Sequence, residues 1–431
     1  MLNKTSYLPL KVNHEFIKPR KRGIDVVVTL LIIYYWALQF THGDAVELVS
    51  FDLAFYLYVI PAAGFAVLST AYVVFTVREI DRSTLILLMF CGLVITISLA
   101  RGDYRSIASL GLLGISIATI FQIRPRVSVN TVNILLIAAT LITTIMYFFG
   151  MSIYTFVPGV GLSYDLWWRV SPYPSVAEGA LLAMFVFLVN LVITGQRLRK
   201  TMLVISLYLV IFSGSRTAIS SVVIASAYIL LRRQGLLDHR GLRISFIVGS
   251  LSLFVILIYA SQLIFLLPFA DNALLRTLIL RDEAVTGFDF GGQVGTAAIR
   301  QWVFDQHIAA FWESPFVGIG TFDLRMLNSG YGALDNSVTG SEAFVTGLLA
   351  RIGLVSTLLF AAIFLVRQPL RGMANELSTA IRIALIVAMV TYGSFVNVYD
   401  VIFVLMIVAV AGGIELSPIR TDDPSSGGAP I

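Results

Sequence analysis

Long apolar runs separated by short polar connections dominate this chain. Twelve such runs can be marked, at roughly residues 24–40, 52–76, 84–100, 106–123, 129–149, 176–194, 201–213, 217–231, 244–267, 342–366, 379–397 and 400–417. Most approach the ~20 residues that cross a bilayer as a helix. Backbone groups in hydrocarbon must be satisfied within their own segment, so runs of this length predict helices. The expected fold is all-α: a polytopic membrane protein with about 12 transmembrane helices and a helical cap. The boundaries are an N-tail over 1–23, nine spans over 24–267, a large loop over 268–341, three spans over 342–417 and a C-tail over 418–431.

The pattern breaks in three places. Residues 150–175, GMSIYTFVPGVGLSYDLWWRVSPYPS, hold three prolines, and Arg169 follows Trp167 and Trp168 directly. The tryptophans suit an interfacial anchor; Arg169 before the Ser171–Pro172 turn is a candidate substrate contact. SGSRTA, Ser213 to Ala218, interrupts an apolar region whose halves are each short for a full crossing. It predicts two short helices meeting at Arg216, with Gly214 and the hydroxyls of Ser213, Ser215 and Thr217 satisfying freed backbone groups. An arginine at membrane depth costs roughly 2.5–3.5 kcal/mol on insertion scales, which makes Arg216 a functional candidate. The structural alternative is a salt bridge to an acid on another helix.

The third break is residues 268–341. Within it, TAAIRQWVFDQHIAAFW (296–312) predicts a helix starting near Thr296, with an apolar stripe through Ile299, Trp302, Val303 and Ala310. Arg300 and His307 lie two turns apart on one side. The flanking glycines of GGQVG and SPFVGIG match no dinucleotide or P-loop pattern and are read as hinges. The next span opens GSEAFVTGLLARIGLVS, with Glu342 at its start, where a carboxylate caps free amides and suits the helix dipole. Arg351 lies nine residues deeper, so one small site can use both only if Gly347 bends the helix. Its expected partner is an acid on another helix, Glu178 or Asp400.

Composition sharpens this picture. The chain is 58% hydrophobic and 13% charged, with mean hydropathy +0.88. Of its 30 Lys and Arg, 21 fall in alternate loops that include both tails and nine in the others. Positive charge stays inside, so both termini are expected in the cytoplasm. The N-terminal 23 residues are too charged for a signal-peptide core, and no cleaved leader is expected. All five lysines fall on the inner side; the outer charges are arginines, among them Arg101, Arg169, Arg216, Arg300 and Arg351. Guanidinium grips phosphate oxygens in a fixed fork, which points to a phosphate-bearing substrate outside the cytoplasm. The lone Cys91 excludes disulfides and thiolate clusters within the chain. Net charge +5 reflects the inside-positive loops and carries no nucleic-acid inference.

Four segments, in order, resemble the O-antigen polymerase and O-antigen ligase superfamily of bacterial inner-membrane proteins: WWRVSPYPSVAEGALLA, SGSRTAISSVV, IRQWVFDQHIAAFWESPFVGIGTF and SEAFVTGLLARIGLV. They cover about residues 160–365; the first five spans match only in hydropathy. The resemblance implies transfer of glycan chains from undecaprenyl-diphosphate-linked oligosaccharide, with inversion and without metal or cofactor, at a site facing the periplasm. It implies that Arg169, Arg216 and Arg300 bind the donor diphosphate, and that a chain-length regulator and a flippase work alongside. The product is a surface polysaccharide or exopolysaccharide.

One departure bears on the subtype. Many ligases of that superfamily, and some other relatives, carry His-Asn near the start of the tenth span; this chain has Ser341-Glu342 there, which favours polymerase over ligase. Glu342 becomes the candidate base, with Asp323, Asp335 and His307 next and Arg351 as an accessory. A transporter or flippase is the rival from another class; its mark would be two similar halves meeting at the midplane, and no such repeat is visible. A non-enzymatic assembly subunit is a third reading, opposed by arginines at three motif positions.

Overall fold

A computed structural model describes residues 22–41, 51–76, 80–152, 154–156, 170–194, 196, 198–258, 289–290, 293–294, 296–320, 344–366, 368–391, 396 and 400–416. The protein is all-α, and each of the twelve apolar runs contains a helix. In chain order these are α1 (Arg22–Leu38), α2 (Phe51–Thr76), α3 (Arg82–Arg101), α4 (Tyr104–Ser106), α5 (Leu112–Ile123), α6 (Val129–Phe148), α7 (Val176–Val192), α8 (Arg199–Phe212), α9 (Arg216–Arg233) and α10 (Arg240–Ile258). After them come α11 (Thr296–Glu313), α12 (Phe344–Leu365), α13 (Gly372–Thr391) and α14 (Val401–Val410). A π turn, Ile107–Gly111, joins α4 to α5. Among the described residues the strands are two-residue bridges: β1 (Val127–Ser128) pairs in parallel with β4 (Ile414–Glu415), and β2 (Asp289–Phe290) pairs antiparallel with β3 (Gln293–Val294).

Among the described residues, six helical segments are long and apolar enough, by length and composition, to cross a membrane: Gly23–Thr41, Tyr56–Val73, Arg82–Arg101, Val129–Phe148, Phe344–Leu365 and Gly372–Val390. The others are shorter or more polar. α14, with 10 residues, rises about 15 Å. Local chemistry sets several of the ends. Asp81 caps α3 by accepting the Arg82 amide, and Gly102 ends it in a left-handed turn at φ 68°. Ser128 caps α6 through the Thr131 amide. The break at SGSRTA falls as expected. α8 stops at Phe212, Gly214 turns left-handed at φ 64°, and α9 begins at Arg216. Ser213 Oγ accepts the Ser215 amide, and Ser215 Oγ accepts the Ala218 amide.

α7 is the central helix. It packs against α6, α8, α9, α13 and α14, and its residues from Gly179 to Asn190 are buried on every face. A helix apolar all round belongs inside a larger bundle. Reciprocal amide contacts between Asn133 and Asn190, 2.8 and 3.5 Å, tie it to α6. Its last carbonyls are capped from other elements. Arg199 donates to Asn190 and Leu191. Arg233, paired with Glu376 at 2.8 Å, donates to Val192. Large apolar side chains on the periphery, such as Leu68, Phe75, Leu141 and Val204, are exposed, as lipid-facing surfaces require.

The least ordinary packing joins α11 to α12. Gly353 interrupts α12 at φ 73°, ψ −179°, a region only glycine occupies without strain. In an unbroken helix the Ala350 and Arg351 carbonyls would accept from Leu354 and Val355. Here they accept from the Ile319 (2.7 Å) and Gly320 (3.0 Å) amides, and the Leu354 amide turns to the Pro315 carbonyl (2.8 Å). SPFVGIG, Ser314–Gly320, is thus a strap seated in the break. A Cβ on Gly318 would meet the Arg351 backbone at 2.3 Å, and one on Gly353 would meet Phe316 at 2.3 Å. Both are close-approach positions, which corrects the reading of Gly318 as a hinge. The bend of this span lies at Gly353 rather than Gly347, because Gly353 holds the non-helical conformation.

Gly353→Ala is expected to destabilise the protein by at least about 2 kcal/mol, since the strained backbone alone costs of order 1–3 kcal/mol. Gly92→Ala, in α3 with nothing within 4 Å of the added methyl, should change stability by less than about 1 kcal/mol. Thermal unfolding of the two variants in detergent measures the contrast. Equal midpoints would show that the strap does not depend on Gly353.

Candidate functional site

Two breaks are each fixed by contacts from distant segments: the end of α8 by the segment before α7, and Gly353 in α12 by the strap after α11. The segment leading into α7 is pinned there. The Val170 amide donates to the Phe212 carbonyl at 3.0 Å, so the residue after Arg169 touches the last residue of α8, four before Arg216. Arg169 itself lies outside the described residues. The Ser171–Pro172 turn is packed rather than open. Ser171 Oγ accepts the Tyr173 amide and donates to the Ser175 carbonyl, while Thr143 donates to the Pro172 carbonyl at 2.7 Å. A Cβ on Gly179 would meet Ser171 Oγ at 2.2 Å. Val170 and Tyr173 are buried.

Arg216 opens α9 and is half-buried. Its carbonyl accepts the Ser220 hydroxyl at 2.7 Å, which fixes the first turn. Arg300 is on α11 as expected, and its side chain lies outside the description, as do Ile299 and Trp302. Val303 and Ala310, from the same predicted stripe, are fully buried. Glu342, Asp323 and Asp335 lie outside the described residues. His307 is buried on α11, with Nδ1 3.0 Å from Thr346 Oγ1 in the first turn of α12. Burial pushes its imidazole down to about 4. It is therefore neutral at ordinary pH and ties the cap helix to α12.

Arg351 does not have the partner expected of it. Its Nη2 donates to Ser106 Oγ at 2.9 Å and Ser109 Oγ at 3.2 Å, and Asp103 lies within electrostatic reach. Glu178 and Asp400, the acids proposed from sequence, instead lie near each other at the starts of α7 and α14. Asp400 Oδ1 accepts the Ile402 and Phe403 amides, at 2.8 and 3.0 Å. Ser106 and Ser109, three residues apart where α4 runs into the π turn, lie on one face and both meet the Arg351 guanidinium. Sequence reasoning missed Asp103, whose side chain caps the Ser106 amide at 3.1 Å. The Asp-x-x-Ser spacing after Gly102 was the available signal. Among the described residues no three His, Cys, Asp or Glu side chains cluster.

Arg351 and Arg101 donate to serine hydroxyls, and Arg216 opens a helix; guanidinium, hydroxyl and helix-start amides are groups that suit anions.

The His307 shift has a definite sign. Between pH ~6.5 and ~4 the unfolded chain binds a proton that the folded one refuses, so stability falls as pH drops through that window, by up to about 3 kcal/mol. His307→Gln should flatten this dependence while leaving an amide to meet Thr346. Hydrogen exchange along α11 at pH 7.5 and 5 is the measurement; an identical pH response in both proteins would rule out His307 as its source.

No protein-family model matches this chain, and no curated protein matches it.

Proposed function

We propose that this chain is a membrane glycosyltransferase that polymerises undecaprenyl-diphosphate-linked oligosaccharide repeats into a surface polysaccharide or exopolysaccharide. In this reading all twelve apolar helices lie in the bacterial inner membrane, both termini are cytoplasmic, and the breaks face the periplasm. The observation that carries it is the junction at Arg216. An arginine stands between two short helices, and the backbone that follows Arg169 is hydrogen-bonded to the same junction. The residue after Arg169 is thus tied to the last residue of the helix that precedes Arg216. α11 carries the third, Arg300, on a helix packed against α12.

The chemistry follows from charge. An acceptor hydroxyl oxygen attacks the anomeric carbon, the bond to the diphosphate oxygen breaks, and that electron pair leaves with the diphosphate. Fixed guanidinium donors aimed at the departing oxygens lower the barrier. The hydroxyl proton passes to a base, which must lie within hydrogen-bond reach of the acceptor or one water away; Glu342 is the candidate. Ser341-Glu342 in place of His-Asn favours polymerase over ligase, which would differ in acceptor.

Glycan length profiling in a strain lacking the chain tests the reading. Complementation with the natural sequence should restore long polymer, and its absence should leave single capped repeats. Long chains held on the lipid carrier would mean a ligase; an unchanged profile would sink both. Arg216→Lys, Arg169→Lys and Arg300→Lys are each expected to lower polymer by at least about tenfold at normal protein level, because a point charge cannot reproduce a bidentate contact. Near-normal polymer in all three would remove them from the mechanism.

Glu342→Gln separates the base from a helix cap, since the amide oxygen still caps but accepts no proton. Loss of polymer with normal protein level is expected. Retained synthesis in the Gln variant, with lower protein level in Glu342→Ala, would identify a cap and move the search for a base to Asp323, Asp335 and His307.

A further inference from the structure

Two buried oxygens near the start of α14 are left over by the packing. Asp400 is 6% exposed. The Ile402 and Phe403 amides both donate to Oδ1, so capping α14 does not use Oδ2. Among the described residues no Lys or Arg forms a salt bridge with Asp400. Tyr173, in the turn before α7, is 1% exposed, and its hydroxyl has no hydrogen-bond partner among the described residues. Its ring packs on Phe40, with centroids 5.2 Å apart. Its hydroxyl lies within electrostatic reach of Asp400, Glu178 and Tyr58.

These side chains come from separate segments. Asp400 precedes α14, Glu178 stands in the first turn of α7, and Tyr173 belongs to the connection before α7. Tyr58 of α2 stands beside them, its hydroxyl already given to the Leu38 carbonyl at 2.9 Å. Glu178 also has other contacts, so Asp400 and Tyr173 are the fixed points of the cluster. The chain leaves α14 for the β1–β4 bridge beside the α5–α6 connection. The 10 residues of α14 rise about 15 Å, half of the ~30 Å hydrocarbon layer. In a membrane Asp400 therefore stands near the middle of that layer rather than at a surface. An ionisable side chain at such depth belongs with a partner or an ion. A buried hydroxyl in a native structure likewise meets a protein group, a water or an ion.

We propose that Asp400, Glu178 and Tyr173 hold one hard cation, an alkali or alkaline-earth ion, between the starts of α7 and α14 and the turn after Arg169. Carboxylate and phenol oxygens are the ligands such ions prefer. The ion balances Asp400, gives the Tyr173 oxygen a partner and relieves the repulsion between two carboxylates in low-dielectric surroundings. Its role is structural. It ties the Ser171–Pro172 turn, and with it the backbone after Arg169, to the starts of two helices. The site uses none of the arginines and does not depend on the glycosyl-transfer reading.

Thermal unfolding of the full chain in neutral detergent tests this, with choline chloride replaced by sodium, magnesium or calcium chloride at constant ionic strength. At least one of the three ions should raise the midpoint saturably, by about 3 °C or more. Asp400→Asn keeps a side-chain oxygen for the α14 cap and should abolish the response. Tyr173→Phe keeps the ring, removes one oxygen and should weaken the apparent affinity several-fold; it decides the matter if Asp400→Asn does not fold. A midpoint that none of the ions moves overturns the proposal and leaves a buried water or a shared proton beside Tyr173. A response undiminished in Tyr173→Phe puts the ion elsewhere on the protein and overturns the assignment.

Discussion

The structure depends on an exchange of backbone hydrogen bonds between two segments that are not neighbours in the chain. Gly353 takes α12 out of the helical region and frees the Ala350 and Arg351 carbonyls and the Leu354 amide. Buried backbone groups without partners cost on the order of 1–3 kcal/mol each. Three bonds to the Pro315–Gly320 backbone satisfy all three groups. The exchange allows no side chain at Gly318 or Gly353, because either Cβ would meet backbone at 2.3 Å. Through this contact the position of α11 becomes a property of α12 and not of the long connections around it.

Helix breaks do similar work elsewhere. α8 and α9 separate at Gly214 and place Arg216 at the start of a turn. α12 breaks two residues after Arg351. The π turn between α4 and α5 presents the two hydroxyls that Arg351 meets. A continuous helix carries an arginine past the apolar layer only at considerable cost. A broken one provides hydroxyls and turned backbone beside the charge. The same residue type serves differently where Arg199, Arg233 and Arg382 donate to terminal carbonyls of α7 and to carbonyls at and just beyond the end of α12. There guanidinium completes short helices and compensates the negative end of their dipoles.

His307 shows how a residue with reactive chemistry can be absorbed by packing. Its position on α11 suggested a base. In the fold it faces Thr346 and is kept neutral by burial. The acids Glu178 and Asp400 likewise meet at the starts of α7 and α14, with Asp400 already engaged in capping.

Hydropathy alone determined that this protein is a set of apolar helices, because a long apolar run has only one way to satisfy its backbone away from water. It also located the break at Arg216, since glycine and clustered serines within a short apolar segment leave little choice. The helix over 296–313 was legible from its periodicity. The break at Gly353 was not, because a glycine inside an apolar run reads as a tolerated packing residue until its partner is known, and that partner is a strap more than thirty residues away. The neighbours of Arg351 were hidden for the same reason: Ser106 and Ser109 lie 245 and 242 residues away in the chain. The enclosure of α7 was equally invisible, since a helix apolar on every face gives no sign of which face meets protein and which meets lipid. Local composition decides where helices form and fail; only the tertiary contacts decide which side chains those failures bring together.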